Sequence, residues 1–90
     1  MAKAIVDPGE LRRFAQDLRR FNAELQERMK ALQGRMHQLE ATWRDQEQAK
    51  FAESFEETLR VLHRFHAASE EHIPLLLRKA ERAEAYLDQR

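Results

Sequence analysis

The residues with chemical potential in this chain are few. His63 and His66 stand three apart on a helical repeat, a spacing that lets two imidazoles reach one metal ion. Zinc needs at least a third ligand, and His72 lies on a different face. No Glu-x-x-His pair of the di-iron bundle type is present, and there is no Cys to supply thiolate. A histidine in a helix seam or interface is the reading that His66 supports, so metal and cofactor are expected to be none. Ser69 shares a face with His66, but amides inside a helix are already bonded and leave no oxyanion donor. The carboxylates Glu56-Glu57 and Glu70-Glu71 are adjacent, so on a helix they do not face each other and cannot act as an acid–base pair. The expectation is a protein that is not an enzyme.

Arg12, Arg13, Arg19 and Arg20 form two basic pairs a heptad apart, which could contact phosphates. Glu10, Asp17 and Glu24 interleave with them, so a solvated helix face is expected and nucleic-acid binding is the least favoured function. The whole chain agrees: 16 basic and 16 acidic residues leave a formal net charge of zero. No apolar run approaches the length of a membrane span, so no membrane insertion is expected. No cleaved signal peptide is expected either, because no charged start precedes an apolar stretch and a small-residue cleavage site.

The elements that carry these residues are helices. Charged residues make up 36% of 90 positions and Gly and Pro two each, a composition that favours long helices over turns. One domain is expected over 1–90, with residues 1–6 a loose tail. Asp7, Pro8 and Glu10 form a start signal: a cap, a first-turn proline and a capping-box acid. Apolar residues follow at Leu11, Phe14, Leu18, Phe21, Leu25, Met29, Leu32, Met36, Leu39 and Trp43. Their steps alternate three and four, with one stutter at Phe21–Leu25–Met29. A helix over 8–43 is predicted, with Gly34 a tolerated residue on its outer face.

Asp45 and Gln48 repeat the capping-box spacing, so a second helix is predicted over 46–88. Its apolar row is Ala52, Phe55, Leu59, Leu62, His66, Ser69, Ile73, Leu76, Ala80, Ala83 and Leu87. Pro74 falls inside it and predicts a kink, with a break into a short third helix as the alternative. Two long helices joined by a few residues make an antiparallel two-helix hairpin, an all-α fold.

Such a hairpin has one seam, and each helix here is apolar over more than a seam needs. The surplus predicts a partner surface made of Phe14, Phe21, Met29, Met36, Phe51, Phe55, Val61, Phe65 and Leu75. Each large apolar side chain gains about 1.5–3 kcal/mol when covered. A second hairpin would cover them in a four-helix bundle dimer, either a homodimer or a pair with a paralogous hairpin.

The length, the two amphipathic helices and Trp43-Arg44-Asp45 at the turn resemble the WXG (Trp-x-Gly) family. These are small helical hairpins exported by type VII (ESX) secretion systems of bacteria. Trp43 matches the motif, while Asp45 stands where the family usually has Gly. Gly would permit a positive-φ turn, whereas Asp would cap the second helix. A second family signal, Tyr followed four residues later by an acid, is degenerate: Tyr86 has Arg90 at that spacing, and Asp88 is the nearest acid. The resemblance implies a bacterial protein made in the cytoplasm and secreted without a cleaved signal. It implies recognition by a type VII ATPase and a role as adaptor or effector. The alternative from the residues alone is a cytoplasmic helical scaffold or chaperone-like module.

Overall fold

The structure, a computed structural model, describes residues 6–88; residues 1–5 of the tail expected over 1–6, and Gln89 and Arg90, lie outside the described residues. Two helices account for nearly all of it: α1 over Pro8–Leu39 and α2 over Gln46–Asp88. They pack as an antiparallel hairpin 68 Å long and 21 × 14 Å across.

Helix α1 starts where the cap signal places it. The Asp7 carboxylate accepts from the Gly9 amide at 2.9 Å and the Glu10 amide at 3.4 Å, satisfying donors that the first turn leaves open. Glu10 does not return the bond to the Asp7 backbone; its carboxylate accepts from Arg13 at 2.7 Å.

The end of α1 differs from the expectation of 43. The Ala41 amide bonds to Gln38 O and the Thr42 amide to Leu39 O, both three residues back. This tightening closes the helix at Leu39, and the Thr42 hydroxyl donates to the same Leu39 carbonyl. Trp43 therefore lies in the turn rather than in the helix. Helix α2 runs through Pro74 without a break, so there is no third helix among the described residues. Pro74 is exposed, so the carbonyl that loses its partner can be solvated.

The seam of α2 follows the row read from the sequence up to Ala83, with Leu59, Ser69, Ile73 and Ala80 buried; Leu87, the last member of that row, is instead exposed near the helix end. On α1 the seam is rotated by one position from the expected stripe. It runs through Leu11, Ala15, Leu18, Asn22, Leu25 and Met29, and Phe14 and Phe21 are left outside. The physical reason is the size of the facing residues. Ala15, Ser69 and Ala80 are small and buried, so the rods can approach closely there; a phenylalanine in the same layer would hold them apart.

Asn22 is the polar member of this seam, 1% exposed. Its amide nitrogen donates to Glu70 Oε2 at 2.9 Å, while its carbonyl oxygen has no partner. A single buried polar contact penalises slipped alignments, so Asn22–Glu70 helps to fix the register of the rods. A second cross-strap joins the open end, where Arg12 Nε donates to Glu84 Oε2 at 3.2 Å and Arg12 Nη2 to Glu84 Oε1.

Two measurements check this description. Gly34 has nothing within 4 Å of the place a Cβ would take. Gly34→Ala should therefore raise unfolding stability by about 1 kcal/mol, read by chemical denaturation. The bond from Arg12 holds the Glu84 carboxyl below the usual carboxylate range, against an opposing effect of partial burial. A folded-state pKa below the unfolded value means this strap stabilises the hairpin above the ordinary Glu pKa, and its contribution fades as pH falls through the lowered one. In Arg12→Ala, NMR titration of Glu84 should return it to the ordinary range.

Candidate functional site

The candidate site is the face of the hairpin that no part of the chain covers. Four apolar residues of α1 project along one flank of the seam: Phe14 (57% exposed), Phe21 (50%), Leu32 (52%) and Leu39 (42%). On α2 the row Phe51, Phe65 and Tyr86, at multiples of seven, is exposed as well. The two flanks lie on the same side of the molecule. Phe21 and Phe65 meet across the helices edge to face, with ring centroids 6.0 Å apart. Nearer the turn, Leu32, Arg35, Met36 and Leu39 of α1 line one shallow groove with Phe51 and Phe55 of α2.

The opposite side is polar. Its grooves are lined by Gln26, Glu27, Lys30, Gln33, His37, Glu40, Glu56, Arg60 and His63 around the edges of seam residues. The hairpin thus has one face rich in exposed apolar side chains and one whose grooves are rimmed mainly by polar side chains. Sequence periodicity gave each helix a wide stripe; it could not tell that both surpluses fall on one side.

Of the nine residues expected at a partner surface, Phe14, Phe21, Phe51, Val61, Phe65 and Leu75 are exposed. Val61 and Leu75 sit on a row of α2 farther from the seam. Met36 and Phe55 are half-buried at the bottom of the turn-end groove. Met29 is a correction: at 3% exposure it is a seam residue, and the helix packing leaves it nothing to offer a partner. Leu32 and Leu39, assigned by pattern to the seam, belong instead to the open face, because the helices' mutual rotation turns that row outward.

The turn adds an aromatic end to this face. Trp43 is half-buried, with its ring 5.8 Å from Phe51, which stacks on Phe55 at 6.0 Å. The Trp43 amide is tied to Leu39 O at 3.0 Å, and Arg44 Nε donates to Glu40 O at 3.2 Å. Asp45 Oδ1 accepts from the Gln48 amide at 2.9 Å, so Asp45 caps α2. No described residue has positive φ. The turn therefore closes without the left-handed conformation that would require Gly, and the aspartate is accommodated without backbone strain.

Tyr86 is exposed in the last turns of α2, at the end of the rod opposite Trp43, and Asp88 is the last residue of that helix. Within one chain the two elements are separated by most of the hairpin's length. Among the described residues no helix is long and apolar enough to cross a membrane, and no three His, Asp or Glu side chains are grouped to hold a metal ion.

Residues 4–86 match the model of the WXG100 family, described as proteins of 100 residues with WXG. Among solved structures, the chain is similar to the secreted protein EsxB of Bacillus anthracis str. Sterne. A mutant and the wild-type form each give 28% identity and a TM-score of 0.74, over 91% of this chain and 88% of that one. A selenomethionine-labelled form gives 27% identity and a TM-score of 0.73, over 96% and 98% of the two chains. No curated protein matches.

Because Trp43 is the chain's one tryptophan, its emission reports on the turn. Phe51→Ala should shift that emission to longer wavelength, while circular dichroism of the long helices stays nearly unchanged.

Proposed function

We propose that this chain, which belongs to the WXG100 family of small helical hairpins, is exported by a type VII secretion system as a paired hairpin. The open apolar face holds the second hairpin, and the turn at Trp43 is presented to the export ATPase. The observation that carries this reading is the one-sided apolar face on a hairpin that shares its fold with a secreted protein. A face containing Phe14, Phe21, Leu32, Leu39, Phe51 and Phe65 is costly to leave in water, and pairing removes it.

Pairing also bears on recognition. Trp43 and Tyr86 lie at opposite ends of one chain, so an antiparallel pair of hairpins brings the turn of one near the helix end of the other. Recognition of that combined end would select pairs over single chains. The Trp43 ring packs against Phe51, and Asp45 caps the helix that carries Phe51, so the recognition element is positioned before it is bound. Tyr86 and Asp88 supply an exposed phenol and a carboxylate at the helix end in place of the family's usual spacing. Work as an adaptor or effector outside the cell would follow export and would use the same pairing surface.

The test is export itself. The tagged chain is expressed in a bacterium carrying the cognate type VII system, with and without its ATPase gene, and culture supernatants are compared. Release should require the ATPase, and Trp43→Ala should abolish release while leaving helicity intact. Retention of the wild-type chain in both strains would overturn the proposal in favour of an intracellular scaffold.

A further inference from the structure

The side of α2 turned away from α1 carries a pattern that neither the seam nor the open face uses. Val61, Ala68, Leu75 and Arg82 each stand two residues after a member of the seam row: Leu59, His66, Ile73 and Ala80. Two residues make about 200° of turn, so these four point almost directly away from α1. Arg64, Glu71 and Arg78 stand three residues after Val61, Ala68 and Leu75 and complete a strip. All seven are exposed. Steps of three and four thus recur on the back of α2, the spacing of a helix-packing surface.

Charge is sorted onto this strip. Over residues 46–88 acids outnumber bases nine to six. Between 61 and 82, however, every base lies on the strip or at its edge: Arg64, Arg78 and Arg82 within it, and Lys79 one turn beyond Leu75, on the side of the open face. Glu71 is the one acid in the strip. The other acids of that stretch are turned aside, since Glu70 bonds Asn22 of α1 and Glu81 lies about 100° round the helix from Arg82. None of the four bases, nor Glu71, makes an ion pair among the described residues. A helix that is acidic as a whole therefore offers four unpaired cations around an apolar row.

We infer that this strip docks an acidic amphipathic helix of another protein, with apolar side chains seated on Val61, Ala68 and Leu75 and carboxylates meeting Arg64, Arg78, Lys79 and Arg82. From Val61 to Arg82 is 21 residues, about 32 Å, so the fitting helix is about three heptads long. Ala68, small and set between two larger apolar residues, permits close approach at the centre. A second copy does not suit the strip. Laid antiparallel about Glu71, it would set Arg64 against Arg78 and Glu71 against Glu71; laid parallel, every charge would meet its like. A lipid surface suits it poorly, because the two bulky apolar side chains, 14 residues apart, would enter with Glu71 between them. The carboxylates of the partner supply selection and rapid encounter, and its apolar row supplies adhesion. The site is independent of hairpin pairing, since Val61 and Leu75 stand farther round α2 than the Phe51, Phe65 and Tyr86 row.

Two synthetic helices of about 21 residues serve as probes. Each has Leu and Ala along one strip, flanked by Glu in the first and by Lys in the second. Fluorescence anisotropy with the full chain at about 0.15 M salt should show saturable binding of the Glu helix, and at least about tenfold weaker binding of the Lys helix. Arg78→Glu with Arg82→Glu should reverse that preference. Both positions are exposed, so circular dichroism should report unchanged helicity, and the reversal itself separates a changed contact from a lost fold. Equal binding of the two probes, no binding of the Glu helix, or undiminished binding of it by the reversed chain would each overturn the inference. So would tighter binding to phosphatidylglycerol vesicles that is lost in the same variant, which would make the strip a lipid surface.

Discussion

Two helices lying side by side cover only one strip of each other, and whatever lies beyond that strip faces water. Here the strip is chosen by close approach. Ala15, Ser69 and Ala80 are buried because they let the rods come together, and Met29, Leu59 and Ile73 fill the space between. Once those layers are set, the rotation of each helix is fixed. Phe14, Phe21, Phe51 and Phe65 can then only stand at the edge. The open face is thus a consequence of the seam.

The axial alignment of the helices matters as much as their rotation. Asn22 reaching Glu70 in mid-rod and Arg12 reaching Glu84 at the open end hold the same register from two points. That register brings Phe21 against Phe65 and sets Leu32 and Leu39 beside Phe51 and Phe55. A slip of one turn, about 5.4 Å, would separate those pairs and leave Asn22 buried with no partner at all. The buried amide carries a cost, in its unpartnered oxygen, and its benefit is discrimination between alignments.

At the turn, side-chain chemistry replaces backbone permissiveness. The chain tightens after Leu39, and Asp45 caps α2 with no residue at positive φ. Trp43 is then directed onto Phe51 instead of continuing the α1 stripe. The aromatic face consequently reaches the end of the rod, where it meets the turn bearing the family's tryptophan.

Both helices, their starts at Pro8 and Gln46, and the seam of α2 as far as Ala83 could be read from the residues, because caps and hydrophobic spacing act over a few neighbouring positions. The family could also be read, from Trp43 at the turn of a hairpin of this length. The end of α1 could not, because closure at Leu39 depends on bonds back from Ala41 and Thr42 that leave no apolar signature. Nor could the sequence say which of two adjacent rows on α1 is the seam. Leu11, Leu18 and Leu25 serve equally with Phe14 and Phe21 or with Ala15 and Asn22, and the facing helix decides. By itself, then, the sequence determined two amphipathic rods and the surplus of apolar surface they carry. The tertiary structure alone decided that the surplus of both rods gathers on one face, because that depends on the rotation and register of each rod against the other, which no local pattern encodes.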